Sequence, residues 1–365
     1  MSTVVLMAGG SGGHLFPAMA LAQELLRRGH TIHLMTDHRV SSYGDFPAKQ
    51  THVVPSATPS VRNPVKFAAA GATLLWGIGI AWRKLRAIKP DIVVGFGGYP
   101  VFPPFLAART MLNVPGILHE QNAVMGRANR ALARYATRIA LSFAKTKFTE
   151  PYAQKAVLTG NPVRDRVRRI ADTPYPSLGE GEPLRIVVTG GSQGARIFAD
   201  LMPPAIAALS EELRHRLRIV QQCRPEDLDR VTEAYRQAKA NVELQPFFTD
   251  LPERMANAHL VICRAGASTI AELTVLGRPA ILVPLPGALD ADQKNNAMSM
   301  EAVKAGWIAE QATLSPPSLA NRLTSLFGDP TILQAAAAAA KSLGQPRAVE
   351  QLADLVEATS RGKTT

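Results

Sequence analysis

The sequence predicts an α/β protein built from two Rossmann-like domains with parallel sheets, on three observations. A strand-like run, Thr3-Val4-Val5-Leu6-Met7, turns through Gly9-Gly10-Ser11-Gly12-Gly13 into an amphipathic helix expected from about Pro17 to Arg28. Half a chain length later the opening recurs: Leu184-Arg185-Ile186-Val187-Val188 is the strand and Gly190-Gly191-Ser192-Gln193-Gly194 the turn, with a helix starting near Ala195. Strands and helices also alternate, which favours parallel sheets with right-handed crossovers.

At 365 residues the chain exceeds one ordinary core, so two domains of about 150–200 residues each are expected. The boundaries read as 1–162 and 163–340, followed by a helical tail, 341–365, packing back on the first domain. Thr173 to Pro183, rich in Pro, Gly and Glu, suits an exposed connection, and the switch between domains is placed near Thr159-Gly160-Asn161-Pro162. Two such domains facing each other form a cleft at the C-terminal ends of their sheets, where open α/β sheets bind ligands.

With 46% hydrophobic and 19% charged residues, the chain is globular rather than disordered. Its two cysteines, Cys223 and Cys263, form no CxxC pair, which argues against a disulfide framework or a structural zinc and for a reducing compartment. Met1 to Gly10 place no Lys or Arg ahead of the apolar run, so no secretory signal is expected. A net charge of +12 calls for a polyanionic partner. Without a zinc finger, an RNP-type motif or a long basic block, nucleic acid is not expected. An anionic membrane and a phosphorylated substrate remain.

A glycine loop between strand and helix lets backbone amides approach a phosphate. Neither loop is a dinucleotide fingerprint, because Leu15 fills the third required position of one and Ser192 the second position of the other. Asp37 does end the second strand where a ribose-binding acid would sit, so an oxidoreductase stays as a minor alternative. No Walker loop follows either turn. His14, at the mouth of the first loop, is a candidate base for an attacking hydroxyl.

A second constellation runs from Cys263 to Leu273 behind a buried strand. Gly266 marks a turn into a helix that Ser268 and Thr269 are expected to cap, with the amides near Ala267 facing a diphosphate or sugar and Ile270 and Ala271 as further candidate substrate-binding positions. Glu272 reads either as a capping carboxylate or as an acceptor for two ribose hydroxyls. Asp290 to Asn296 set polar side chains, Gln293 among them, at an expected turn.

Together these residues resemble the MurG family of GT-B glycosyltransferases, family 28. The resemblance is carried by Gly10-Ser11-Gly12-Gly13-His14-Leu15-Phe16-Pro17, Gly95-Phe96-Gly97-Gly98-Tyr99-Pro100, His119-Glu120-Gln121-Asn122, Thr159-Gly160-Asn161-Pro162-Val163-Arg164, the second glycine loop, and Cys263 to Glu272. It implies GT-B architecture and an inverting, metal-independent transfer of N-acetylglucosamine from UDP-GlcNAc to undecaprenyl-linked lipid I, with no cofactor. It further implies that Ser11, Gly12, Gly13, His14 and Asn122 serve the acceptor and diphosphate, with Arg164 beside the diphosphate. His14 would be the base, with Glu120 or His119 as competitors. Phe248 would line the uracil pocket, Glu272 hold the ribose, Ser192 meet phosphate, and Ala267, Ser268 and Gln293 meet the sugar. Three positions depart from the family's frequent residues, Ser11 (Thr), Met125 (Pro) and Ala265 (Ser), and Asp292 stands where a relative can carry Gln.

Phe67 to Trp82 carries no charge and then meets Arg83, Lys84, Arg86 and Lys89. It falls short of the ~18–20 residues of a spanning helix, so a peripheral, half-buried helix is expected. Leu75, Trp76, Ile80 and Trp82 would enter the interface while Arg83 and Lys84 meet anionic headgroups. With the family resemblance this implies the cytoplasmic face of the bacterial inner membrane, with cell-wall and division machinery as candidate partners. A UDP-GlcNAc 2-epimerase and a non-catalytic UDP-sugar or lipid carrier are the competing readings.

Overall fold

Apolar runs broken by glycine turns fold into two all-parallel sheets, of seven and six strands among the described residues. The structure, a computed structural model, describes residues 1–9, 12–38, 46–58, 63–179, 181–191, 194–288 and 290–362. The chain forms two compact units, one of Met1–Arg164 with Pro346–Thr365 and one of Asp165–Gln345.

The first unit opens with β1 (Thr3–Met7), α1 (Gly12–Arg27), β2 (Thr31–Thr36) and β3 (Gln50–Val53). It continues with α2 (Pro64–Ile88), β4 (Ile92–Gly95), α3 (Phe102–Met111) and β5 (Gly116–Glu120), then α4 (Arg127–Leu132), β6 (Arg138–Leu141) and β7 (Ala156–Leu158). In the second unit come α5 (Asp165–Arg169), β8 (Leu184–Thr189), α6 (Arg196–Ala207), α7 (Glu211–Arg216) and β9 (Leu217–Gln222). Next are α8 (Leu228–Gln237), β10 (Val242–Gln245), α9 (Leu251–Ala256), β11 (Leu260–Cys263) and α10 (Ala267–Leu276). The unit ends with β12 (Ala280–Leu282), α11 (Asp292–Glu301), β13 (Gly306–Ile308), α12 (Pro316–Gly328) and α13 (Pro330–Ser342), before α14 (Ala348–Ser360) returns to the first unit.

The strand orders are β3-β2-β1-β4-β5-β6-β7 and β10-β9-β8-β11-β12-β13. Each sheet therefore starts in its middle, and the chain reverses direction across the sheet between β1 and β4 and between β8 and β11. Ligands of doubly wound sheets bind at the C-terminal ends of the strands flanking such a point. Strand pleating sends Val4, Leu6 and Ala8 into one apolar cluster, shared with Leu15, Leu21 and Leu25 of α1 and Leu352 and Val356 of α14. Val5 and Met7 enter the opposite cluster with Ala81 and Leu85 of α2 and Phe105 of α3.

Three segments differ from the sequence reading. The first helix starts at Gly12 rather than Pro17, so Pro17 lies inside it and has no N–H to give the Gly13 carbonyl. This brings His14 into the first helical turn. The Thr173–Pro183 segment is no free connection. Tyr175 and Leu178 pack on the second core, the Tyr175 hydroxyl donates to the His259 carbonyl at 2.8 Å, and buried Arg278 donates to the carbonyls of Thr173 and Pro174 at 3.1 and 2.9 Å.

The third difference is α2, a helix of 25 residues. Asn63 caps it by accepting from the Lys66 amide at 3.0 Å, Pro64 opens it, and Lys89 closes it in a left-handed conformation. By length and composition it could cross a membrane. Its fully buried residues are nevertheless a narrow stripe, Ala70, Gly77, Ala81 and Leu85, packed toward α3. A Cβ on Gly77 would fall 2.2 Å from the Pro55 carbonyl oxygen and 3.2 Å from Pro103 carbons, so this crossing needs glycine. Leu75 and Trp76 stand outward, 72% and 64% exposed. Trp82, expected at the membrane, is half-buried and packs against the core, although seven residues place it only about 20° round the helix from exposed Leu75.

The Gly77 contact yields a stability prediction. Gly77→Ala should lower stability by about 1–3 kcal/mol through overpacking, read from denaturant or thermal unfolding. Gly79→Ala, whose Cβ would meet open space, should leave the melt unchanged or raise it.

Candidate active site

In the first unit the C-terminal ends of β1, β4 and β5 meet around His14. Gly97 and Gly98 follow β4 with φ of 81° and 80°, a conformation that favours glycine. A Cβ on either would lie 3.3 Å from the His14 ring, and one on Gly9 would lie 3.4 Å from it. Backbone from two strand ends thus lies close to one half-buried imidazole. Asn122 follows β5 at the same edge, Gly12 and Gly13 occupy the first turn of α1 with His14, and the Arg164 guanidinium stacks over Phe16 of α1 at 5.5 Å.

His14 Nδ1 lies 3.1 Å from Gln121 Oε1, and Gln121 Nε2 lies 3.0 Å from His119 Nδ1. His119 Nε2 in turn meets the Gly160 carbonyl at 3.1 Å. Burial pushes His119 down to about 4, so this imidazole is neutral near pH 7. Gln121 appears in the motif that carried the resemblance, yet the sequence offered no role for it. Its contact with His14 spans 107 residues, a separation that no local pattern reveals.

Glu120, expected as a competing base, is buried and holds a loop. Its carboxylate accepts from the amides of Asn122 and Gly126 at 3.0 and 2.8 Å and from Asn129 Nδ2 at 2.8 Å. Burial raises its pKa while those hydrogen bonds oppose the rise. A carboxylate closed in this way shapes the 121–126 turn and is poorly placed to reach a substrate proton. Asn161, beside Gly160, is buried with both amide atoms lacking a partner among the described residues.

The second unit repeats the arrangement. Gln222 Oε1 accepts from the Thr189 hydroxyl and the Gly190 amide at 2.8 and 3.3 Å, tying the loop after β8 to the end of β9. A Cβ on Gly190 would fall 2.2 Å from the Ala195 amide, which leaves no room for a side chain. Ser192, like Ser11 of the first loop, lies outside the described residues. Across the reversal point, Arg264 donates to the carbonyls of Val283 and Pro284 at 3.1 and 3.0 Å and to Gln311 at 2.7 Å.

The residue before α10 is Gly266, which has no side chain to cap it. Ser268 and Thr269 were expected as caps, but they stand second and third within the helix, too far along to turn back on its first amides. Ala267, Ser268 and Thr269 form that first turn, and the buried Ser268 hydroxyl has no partner among the described residues. Ile270 and Ala271 continue the helix. Glu272, sixth in α10 and buried, is beyond capping range. Asp292 and Gln293 open α11 rather than a turn, and Gln293 Oε1 accepts from the Leu285 amide at 3.0 Å. Phe248 is buried under the Arg254 guanidinium, 4.6 Å from its ring.

Comparison with known proteins decides the family. The pattern of the glycosyltransferase family 28 N-terminal domain matches residues 4–141, and that of the C-terminal domain matches residues 185–352. The chain belongs to glycosyltransferase family 28. Among proteins similar to this family-28 chain, one from Rhizobium etli (strain CIAT 652) is 50% identical over 99% of the chain and 96% of its own length. Another, from Methylobacterium nodulans, is 54% identical over 98% and 96%. Both are named UDP-N-acetylglucosamine--N-acetylmuramyl-(pentapeptide) pyrophosphoryl-undecaprenol N-acetylglucosamine transferase. The crystal structure of Acinetobacter baumannii MurG superposes with a TM-score of 0.78 at 31% identity, covering 98% of this chain and 99% of that one. The family-28 fold is thus GT-B, two α/β domains each with a parallel sheet, and the chain is a glycosyltransferase of the hexosyltransferase class.

His119 gives this family-28 chain a pH signature. Its pKa is 6.5 when unperturbed and about 4 in the folded chain, so the unfolded state alone binds the proton between those values. Stability should therefore fall as pH drops through this window, by up to about 3 kcal/mol from this residue. Glu120, raised by burial, acts with the opposite sign, so the comparison of interest is with His119→Gln. The variant's unfolding free energy should vary less steeply than the wild type's between about pH 6.5 and 4.5; parallel curves would refute it.

Proposed function

We propose that the chain transfers N-acetylglucosamine from UDP-GlcNAc to the muramyl 4-hydroxyl of undecaprenyl-pyrophosphoryl-MurNAc-pentapeptide, converting lipid I to lipid II in peptidoglycan synthesis. The observation that carries this reading is identity of 50–54% over nearly the whole chain with transferases of that name. His14, clasped at the β1/β4 strand ends, fits the base. In the proposed step its imidazole takes the hydroxyl proton as the oxygen bonds the sugar's anomeric carbon. The bond from that carbon to the UDP diphosphate breaks, and the configuration inverts.

The leaving diphosphate needs compensation of its negative charge. Amides of the glycine loops, Ser11, Gly12, Gly13 and Ser192 among them, and Arg164 supply it without a divalent cation in this reading. Glu272 would accept from the ribose hydroxyls, Phe248 would line the uracil site, and the first turn of α10 with Gln293 would face the sugar. The buried, unpartnered Ser268 hydroxyl supports that last assignment. Asn122, beside the loop that Glu120 holds, would face the acceptor.

The acceptor's lipid anchor explains α2. Leu75 and Trp76 would enter the bilayer interface with Arg83 at the headgroups, while Ile80 and Lys84 lie half-buried at the edge of that face. Contact is peripheral in this reading, since the opposite stripe of α2 is engaged with its own domain, and the enzyme would act at the cytoplasmic face of the inner membrane.

Two experiments test the proposal. Labelled UDP-GlcNAc with a short-chain lipid I analogue should give labelled lipid II, equally with and without EDTA, and His14→Ala should lower turnover by about 10²–10⁴-fold. No transfer to a competent acceptor would refute the substrate assignment, and inhibition by EDTA the metal-free route. For the membrane, vesicles rich in anionic lipid should sediment the protein at low salt, and Trp76→Glu should weaken sedimentation while UDP-GlcNAc binding persists. Equal sedimentation of both proteins would rule out the α2 contact.

A further inference from the structure

An imidazole serves as a base through one nitrogen only, and which nitrogen depends on where the ring carries its proton. Two backbone carbonyls bear on this for His14. His119 Nε2 lies 3.1 Å from the Gly160 carbonyl oxygen; a carbonyl can only accept, so this nitrogen bears the hydrogen. His119 Nδ1 is then an acceptor in a neutral ring, and it faces Gln121 Nε2 at 3.0 Å. A second carbonyl turns the Gln121 amide the same way, since Nε2 also lies 3.2 Å from the His119 carbonyl oxygen. Gln121 Oε1 is left facing His14 Nδ1 at 3.1 Å, and an amide oxygen requires a donor there.

We propose that Gln121 and His119 are positioning residues that hold His14 in its Nδ1–H tautomer, making Nε2 the nitrogen that receives the acceptor's proton. The catalytic purpose of this relay rests on the reading of His14 as the base. During transfer the hydroxyl proton passes to Nε2, the hydroxyl oxygen keeps the electron pair that forms the new glycosidic bond, and UDP departs with the electrons of the broken one. The imidazolium then returns one proton to solvent.

Each link has a physical reason to stay in place. Gln121 and His119 are buried, 2% and 0% exposed, so water does not compete for their hydrogen bonds. The His119 ring packs against Phe96 with centroids 5.3 Å apart, and the Asn129 amide also donates to the His119 carbonyl at 3.3 Å. Burial keeps His119 neutral near pH 7, which preserves Nδ1 as an acceptor. Being uncharged, Gln121 orients the His14 ring without providing a counter-charge to imidazolium, as a carboxylate in its place would.

The test reads the tautomer directly. Full-length protein carrying 15N-labelled histidine reports ring protonation by nitrogen–proton correlation spectra, with His14→Ala identifying the His14 signals. Wild-type His14 should show the Nδ1–H pattern. Gln121→Met, close in volume but without the amide, should move His14 toward the Nε2–H form. It should also lower kcat by about 10²-fold, the scale of a lost general base, while KM for UDP-GlcNAc stays unchanged. Melting curves and UDP-GlcNAc binding establish that the variant is folded, and Gln121→Leu provides a second apolar replacement if it is not. A wild-type Nε2–H pattern, or a folded variant with unchanged tautomer and kcat, overturns the relay. Full turnover in His14→Ala would instead overturn the base assignment, and with it the relay's catalytic purpose, even if the spectra show Nδ1–H.

Discussion

The first domain's candidate site depends on one close approach, backbone against imidazole. Three glycines from two strand ends lie where any Cβ would press on the His14 ring, and two of them have φ values that side chains disfavour. The close backbone leaves the ring little space, and a hydrogen bond to Gln121 orients it. A side chain placed this way loses little conformational freedom when a ligand arrives, because folding has already restricted it. Glu120 belongs to the same structure at one remove, since its hydrogen bonds set the turn that follows β5.

The second domain solves a related problem with different residues. Its loop after β8 also comes too close to the following helix for a side chain at Gly190, but a glutamine at the end of β9, Gln222, holds that loop. Across the reversal point α10 begins at Gly266 without a side-chain cap. Unsatisfied first-turn amides and the partial positive charge of a helix start suit an anionic ligand. That preference agrees with a donor carrying a diphosphate. The two halves share strand order and the placement of glycine at strand ends, while the chemistry differs with the side chains set there.

Helix α2 follows the same economy of small residues. Ala70, Gly77 and Ala81 let α2 lie close to its own domain, freeing the bulky Leu75 and Trp76 to face outward. A helix apolar on most of its circumference normally demands burial all round, and this one leaves most of its surface exposed. Such a large outward apolar area marks an interaction surface, and the arginines at its C-terminal end suit an anionic one.

Strand-to-helix alternation and the repeated glycine turns were enough to read two parallel sheets, because period and turn chemistry are local properties. The motifs likewise singled out His14, Glu120, Ser268 and Glu272 as candidates. Helix starts are less legible: Pro17 reads as a first helical residue and Ser268 as a cap, yet Gly12 and Ala267 begin those helices. The connection before β8 misled as well, since only the folded chain brings buried Arg278 onto its carbonyls. Which face of α2 stays outward, which carboxylate is enclosed, and which nitrogen of His14 carries a proton were decided by tertiary structure alone. The sequence by itself determined that a histidine would stand at a glycine-lined strand end. Its orientation depends on a partner 107 residues away and on carbonyls at residues 119 and 160, and contacts across such separations exist only once the sheet has assembled.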